Sequence, residues 1–326
     1  MKTNYLVTGA TGFIGRKLVQ ELLSTLSADP NSEKFADAMT TNAVSKKGFC
    51  RIAVRSPSQH ISGAQSVVID DIGPNTDWRA ALRDVDVVVH LAAHVHQPAE
   101  TEHRRFFEVN TQGTIRLAEQ AAEAGVKRFV FISTINVHGD ASANPIHEYS
   151  PFAPTGPYGE SKLEAERQLR KRTDLEVTVV RPPLVYGACS KGNFPRLVRL
   201  VRAGIPLPLG SLTNQRSMLF VGNLVRFIQT VCLHPDAAGE TFVISDRESI
   251  STPDLITAIA RAEGRRSRLL PVPLFLMRAS TRLLGRSEDF RKLSTSMVLD
   301  SSRSKEILGW RPPYSFEEAL SITLSH

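Results

Sequence analysis

The chain has 326 residues, 41% hydrophobic and 22% charged, the composition of an ordinary globule of one large or two modest domains. No apolar run reaches the length of a membrane span, no N-terminal segment resembles a signal peptide because a core strand begins almost at Met1, and three cysteines without metal-like spacing read as reduced thiols of a cytoplasmic protein. The net charge of +7 is spread over helical faces and suits an anionic substrate; it lacks the compact basic patch interleaved with aromatics that nucleic acid requires, so neither nucleic acid, membrane nor metal is expected as a partner.

Asn4 to Val7 predicts a buried strand. Gly9, Gly12 and Gly15 then open a helix whose apolar positions include Ile14, Leu18, Leu22 and Leu23. In Thr8-Gly9-Ala10-Thr11-Gly12-Phe13-Ile14-Gly15, one glycine allows a tight turn. Another lets the backbone approach a pyrophosphate, and the third lets helix and strand pack closely. The helix N-terminus offers unpaired N–H groups to phosphates. A strand before and a helix after make this a dinucleotide cradle. The polar stretch from Ser27 to Lys47, with Pro30, is long for such a connection and reads as a mobile surface insertion.

Phe49 to Ser56 is the second strand. An acid at its end would grip the 2′-hydroxyl of NAD, whereas an arginine accommodates the 2′-phosphate of NADP. Arg55 stands there, so the cofactor is NADP or NAD with a lean toward NADP; a solvated Arg55 stacked on adenine is the alternative. Further strands are expected at Val67–Asp71, Val85–His90, Arg128–Ser133 and Glu176–Arg181, with helices at Val109–Ala124 and Tyr158–Arg172. This alternation implies an α/β fold, a Rossmann-type doubly wound parallel sheet.

Beyond Arg181, prolines 182, 183, 195, 206 and 208 shorten the elements. Helices are expected near Leu197–Ala203 and Gly222–Leu233, a strand at Glu240–Ser245, and mostly helix from Thr252 onward. The expected organisation is a dinucleotide-binding domain over 1–181, with strand 240–246 returning to its sheet. A smaller mixed, mostly helical substrate-binding lobe covers 182–326.

Tyr158 and Lys162, four residues apart, share a helix face. A free tyrosine, with a pKa of about 10, is a poor base at neutral pH, but a nearby ammonium favours its anion. Hydride transfer at a carbinol carbon requires a proton to move on its oxygen, which such a tyrosine performs. Thr134, closing the fifth strand, is placed to donate a hydrogen bond to the same oxygen. The expected catalytic set is Thr134, Tyr158 and Lys162.

With these motifs in hand, the chain resembles the extended short-chain dehydrogenase/reductases, and among them the NAD-dependent epimerase/dehydratases. The resemblance runs from the TGATGFIG cradle through His90-Leu91-Ala92-Ala93, Asn110-Thr111-Gln112-Gly113-Thr114, Ser133-Thr134 and Pro157-Tyr158-Gly159 to Lys162. It continues with Arg181-Pro182-Pro183-Leu184-Val185-Tyr186-Gly187 and ends at Leu308-Gly309-Trp310-Arg311-Pro312. It implies that Asp71 and Ile72 flank the adenine, that Leu91, Ala92, Ala93 and Asn110 line the cofactor, and that Pro183 and Leu184 border the nicotinamide. Lys162 would hold the ribose hydroxyls, and Asn193 and Arg216 would meet the diphosphate of a UDP-sugar. His94 and His96 stand where the substrate loop begins. Where the family usually has Val-Tyr-Gly this chain has Val137-His138-Gly139, so His138 is either a second polar group near substrate or a packing substitution.

The resemblance implies a homodimeric enzyme acting at C4 of a UDP-linked hexose, foremost a UDP-sugar 4-epimerase. Arg55 pulls toward an NADPH-dependent UDP-4-keto-sugar reductase, because a reductase draws on a reductant pool and an epimerase does not. A dihydroflavonol- or sterol-type reductase shares the cradle and the Tyr-Lys pair without needing Arg216. A non-catalytic NADP-binding redox sensor on the same sheet would not need Tyr158 and Lys162.

Overall fold

The computed structural model describes residues 3–27, 48–95, 103–190, 192–246, 249–283, 285 and 287–325. Apart from Ser27, the polar stretch 27–47 lies outside the described residues, and so does His96. The strands are β1 (Tyr5–Thr8), β2 (Cys50–Val54), β3 (Gln65–Val68), β4 (Val87–His90), β5 (Arg128–Ile132), β6 (Glu176–Arg181), β7 (Leu184–Tyr186), β8 (Arg216–Phe220), β9 (Thr241–Val243) and β10 (Ser249–Ile250). The first six helices are α1 (Phe13–Ser27), α2 (Arg79–Leu82), α3 (His103–Phe107), α4 (Gly113–Glu123), α5 (Gly156–Leu169) and α6 (Asn193–Arg202). The other six are α7 (Val221–Leu233), α8 (Thr252–Ala262), α9 (Leu274–Leu283), α10 (Ser287–Ser294), α11 (Ser302–Leu308) and α12 (Phe316–Leu324).

A seven-stranded sheet runs in the order β3-β2-β1-β4-β5-β6-β9, and its pairs from β3 to β6 are parallel. Strands β1, β2, β4 and β5 are buried at every position, as expected for a sheet covered on both faces. Their valine- and isoleucine-rich runs are what such burial selects. The edge strand β3 is mostly exposed. Strand order reverses between β1 and β4, and ligands of such sheets bind in the crevice outside the carboxyl ends of the strands at that point. The doubly wound α/β architecture read from the sequence is thus the one observed.

The chain divides into two compact units. The first comprises residues 1–133, 156–180 and 228–241. Its core packs Leu6, Val88, Phe129, Phe131 and Val179 of the sheet against Ala81 and Leu82 of α2, Leu117, Ala118 and Ala121 of α4, and Ala165 and Leu169 of α5. The second comprises residues 134–155, 181–227 and 242–326. It contains a three-stranded mixed sheet in which β8 pairs parallel with β7 and antiparallel with β10. Its clusters include Ile135, Ile146, Val243, Met297 and Leu299, and separately Leu212, Met277 and Phe290. Residues 134–155, which the motif order puts in the dinucleotide domain, cluster with this second unit.

Candidate active site

The cradle is built from steric necessity. Gly9 sits at φ 68°, and a Cβ there would come within 2.7 Å of the Ala92 nitrogen. A Cβ on Gly15 would lie 2.2 Å from the Gly9 carbonyl oxygen, so only glycine lets α1 press against the turn. Gly12 is exposed, and a Cβ there would meet only the Gly9 carbonyl, at 3.2 Å. The first turn of α1 contains no acidic residue. An exposed glycine at an uncontested helix N-terminus fits a pyrophosphate. Thr11, Phe13 and Ile14 are partly exposed around it.

The sheet register places Thr8 opposite His90 and His90 opposite Phe131, one residue from each of three adjacent strands. The backbone N–H of Ala92 donates to Thr8 Oγ1 (3.2 Å), which lies 2.7 Å from His90 Nδ1. His90 Nε2 lies 2.9 Å from Thr114 Oγ1, which donates to the Asn110 carbonyl at 2.7 Å. Because the Thr114 hydroxyl proton is committed to that carbonyl, His90 Nε2 carries the proton and Nδ1 accepts from Thr8. Burial, reinforced by Lys162, pulls the His90 pKa down to about 3, so the ring is neutral as this relay requires.

The relay continues into α5. A π-helical turn at Glu108–Gln112 widens the start of α4. From it Asn110 Nδ2 donates to Ser161 Oγ (3.0 Å), which donates to the Tyr158 carbonyl (2.9 Å), and Thr111 Oγ1 donates to the Ser161 carbonyl (2.8 Å). The Asn110 amide also pairs with both backbone groups of His94, at 2.7 and 2.9 Å. The His94 ring meets Phe106 edge-on at 4.8 Å. Leu91, Ala92 and Ala93 lie between these anchors, partly exposed.

Tyr158 is partly exposed on the first turn of α5, and Lys162, one turn later, is 1% exposed. Its Nζ lies 3.9 Å from the centre of the Phe131 ring, on which His90 also stacks. Burial lowers the Lys162 pKa to about 7, and the Glu166 carboxylate opposes that shift. Glu166, itself buried, accepts a 2.5 Å hydrogen bond from Ser133 Oγ. At the rim, Arg55 lies 3.9 Å from Asp71, which also pairs with Arg105, while Ile72 is partly buried.

The remaining predicted residues belong to the second unit. Thr134 accepts from the Asn136 N–H at 3.2 Å and caps a 3₁₀ turn over Ile135–His138. Pro183 is buried, and Leu184, opening β7, is exposed. Asn193 is exposed at the first residue of α6. Arg216, at the start of β8, donates to the Thr295 carbonyl at 3.3 Å; burial lowers its pKa and Asp140 opposes that. His138 is a buried packing element: Arg181 donates to its Nε2 (2.9 Å), its Nδ1 lies 3.1 Å from the Pro151 carbonyl, and its ring stacks on Phe152. An arginine only donates, so His138 is protonated on Nδ1.

The family model for the NAD dependent epimerase/dehydratase family matches residues 5–245. The chain belongs to this family. Members are enzymes, and the family's span covers both the cradle and the Tyr158–Lys162 pair. Similar relatives include a UDP-glucose 4-epimerase of Vibrio cholerae, 38% identical, with 99% of this chain and 95% of the relative covered. An N-acetyl-alpha-D-glucosaminyl-diphospho-ditrans,octacis-undecaprenol 4-epimerase of Escherichia coli O157:H7 is 26% identical over 100% of this chain and 96% of the relative. Among solved structures, MoeE5 in complex with UDP-glucose and NAD aligns with a TM-score of 0.74 at 24% identity, covering 99% and 97% of the two chains.

Motif reading missed the Thr8–His90–Thr114 relay, Ser161 and the Ser133–Glu166 bond. A histidine ending a strand of valines was the only visible sign of the relay, because its partners are 24 and 82 residues away.

Proposed function

We propose that this family member is an NAD-dependent 4-epimerase of a UDP-linked hexose. The observation that carries the reading is the hydrogen-bond network that runs from Ala92, just after β4, and Thr8 at the head of the cradle, through His90, Thr114 and Asn110, to the turn of α5 that bears Tyr158 and Lys162. It ties the cofactor cradle to the acid/base pair within one unit. The full-length likeness to the Vibrio cholerae UDP-glucose 4-epimerase supports the substrate class.

In this reading Gly9, Thr11, Gly12, Phe13, Ile14 and Gly15 hold the pyrophosphate. Asp71 and Ile72 flank the adenine, while Leu91, Ala92, Ala93, Pro183 and Leu184 line the nicotinamide side, with Asn110 fixing the loop. NAD, when bound, supplies the acceptor and donor of the C4 hydride. Tyr158 takes the proton of the C4 hydroxyl and returns it after the keto sugar has presented its other face, so neither electrons nor protons are consumed overall. Lys162 holds the ribose hydroxyls and favours the Tyr158 anion. Thr134 donates to the sugar oxygen. Asn193 and Arg216 bind the diphosphate, for which a guanidinium fork is suited. The active enzyme is a homodimer, which sedimentation velocity tests.

A second reading, an NADPH-dependent 4-keto-sugar reductase, is favoured by the exposed Arg55 at the end of β2. Incubating the purified protein with UDP-glucose and no added cofactor separates the two. Appearance of the C4 epimer, lost by at least about 10²-fold in Tyr158→Phe, supports the epimerase. No epimer, with NADPH consumed on a 4-keto sugar nucleotide, supports the reductase. Arg216→Ala is expected to raise KM for the UDP-sugar about ten- to a hundredfold with little change in kcat, because the diphosphate is remote from C4. An unchanged KM removes Arg216 from the site and favours a sterol- or flavonoid-type reductase.

A further inference from the structure

Although basic groups occur on several helical faces, one segment carries them without any acid between them. Residues 264–287 contain Arg265, Arg266, Arg268, Arg278, Arg282 and Arg286 and no aspartate or glutamate. Helix α9 lies within this segment and turns Met277 inward, where Leu212 and Phe290 cover it. At about 100° per residue, Phe275, Ala279 and Leu283 stand one above another on the opposite face, with Leu276 beside them. Phe275 is 69% exposed, Leu283 89% and Leu276 49%. Arg278 and Arg282, both exposed, run along one flank of this apolar stripe. Leu270, in the segment leading into the helix, is also half exposed.

A contiguous outward stripe of large apolar side chains marks an interaction surface. Its flanks decide what covers it. A two-fold contact with a second copy would set the arginines of each segment against those of the other, with no acid in either to pair them. An anionic bilayer surface satisfies both features at once: headgroup phosphates pair with the arginines while the acyl boundary takes phenylalanine and leucine.

We propose that α9 is an interfacial helix that docks this protein on an anionic lipid surface. Phe275, Leu276 and Leu283 enter the acyl boundary, and Arg278 and Arg282 sit at the phosphate level. The absence of a membrane partner expected from composition concerns a spanning segment; this contact is peripheral, and no helix among the described residues is long and apolar enough to cross a membrane. It does not rest on the reading of the active site.

Flotation of the full chain with vesicles of neutral phosphatidylcholine, alone or with about a third phosphatidylglycerol, tests it without reference to turnover. The protein is expected to float with the anionic vesicles, and to be released by high salt because the attraction decays within a Debye length. Arg278→Gln with Arg282→Gln should lower the partition coefficient about fivefold per arginine. Phe275→Ser with Leu283→Ser should lower it at least about tenfold. Both pairs alter only exposed side chains, so UDP-sugar turnover in solution should be unchanged. Absence from anionic vesicles, equal binding to neutral ones, or binding untouched by both pairs overturns the proposal. So does loss of self-association in the Phe275/Leu283 pair with no vesicle binding by the parent, which assigns the stripe to a second copy.

Discussion

Each unit buries a cation beside a histidine and a phenylalanine, with a glutamate nearby, and the two clusters are wired in opposite ways. In the first unit Lys162 lies over Phe131, on which His90 stacks, with Glu166 one helical turn on. In the second, Arg181 lies 5.1 Å from the Phe152 ring, on which His138 stacks, and it donates to His138 Nε2 and to the Glu148 carbonyl. The Glu148 side chain accepts from the Val243 N–H at 2.7 Å, and burial raises its pKa. Arginine stays charged in proteins and its fork is fixed by neutral acceptors, so the second cluster is a permanent fastening. Lysine is a point charge that burial has moved to about 7, where it answers to whatever binds beside it. In the proposed mechanism the chemistry falls to the tunable cation, and the fixed one serves the structure.

The sharpest break of this comparison is Lys162→Met. Turnover is expected to fall by about 10² to 10⁴-fold, the range of a lost acid/base function, while stability at pH 6 holds or rises because a buried charge is gone. Steady-state kinetics beside urea unfolding give both numbers. More than about a tenth of parent kcat would remove the lysine from the mechanism.

Arg181→Met should do the reverse. It strands two buried acceptors, His138 Nε2 and the Glu148 carbonyl, each costing about 1–3 kcal/mol. Urea midpoints should therefore drop by the equivalent of about 2–6 kcal/mol, with activity following the folded fraction. An unchanged midpoint contradicts the fastening.

Arg55, an exposed cation of the first unit, is expected to affect cofactor choice alone. Arg55→Asp should weaken NADP relative to NAD by about ten- to a hundredfold, the value of one charge-assisted hydrogen bond, with stability nearly constant. Titration of both cofactors into parent and variant measures this; equal parent affinities for both cofactors would end the NADP argument.

The smallest effect separates the two histidines. His90 has its folded pKa depressed from 6.5 to about 3. The unfolded chain therefore binds more protons in that window, and stability falls as pH drops from 6.5 toward 3. The slope is about 1.4 kcal/mol per unit once well below 6.5. Subtracting the unfolding free energies of His90→Gln from those of the parent, between pH 6.5 and 4.5, isolates it. A flat difference would show that the relay tolerates a charged imidazole. Lys162 acts at the other end: its depressed pKa makes stability rise with pH between about 7 and 10.5, a rise that Lys162→Met should remove.

The doubly wound α/β architecture and the glycine cradle were legible because their signals are local. Runs of valine and isoleucine mark strands buried on both faces, and Gly15 is demanded by contact with the Gly9 carbonyl in the same turn, whereas the crowding of Gly9 by Leu91 and Ala92 is tertiary. Tyr158 and Lys162 were legible because helical spacing alone puts them on one face. Boundaries shifted where tertiary contacts intervene. The helix expected from Val109 already runs from His103, and it is interrupted by a π-helical turn at Glu108–Gln112 from which Asn110 and Thr111 reach across to Ser161. The third strand was expected through Asp71 but ends at Val68, leaving Asp71 at the rim with Arg55 and Arg105. His138 stood open between two roles, since nothing near it in sequence announces that Arg181 is its partner.

By itself, then, the sequence determined the alternation of strands and helices that makes a doubly wound sheet, the glycine turn at the end of β1, and the placing of Tyr158 and Lys162 on one face of α5, since each is marked by the spacing of residues within a single element or turn. Tertiary structure decided the protonation of His90, the burial that brings Lys162 to about 7, and the partner of Arg181. It also decided that α9 buries Met277 and leaves Phe275 and Leu283 outside. These depend on desolvation and on hydrogen bonds closed over tens of residues. A pKa or an exposed face is a property of what surrounds a side chain, and the chain order around that side chain does not state it.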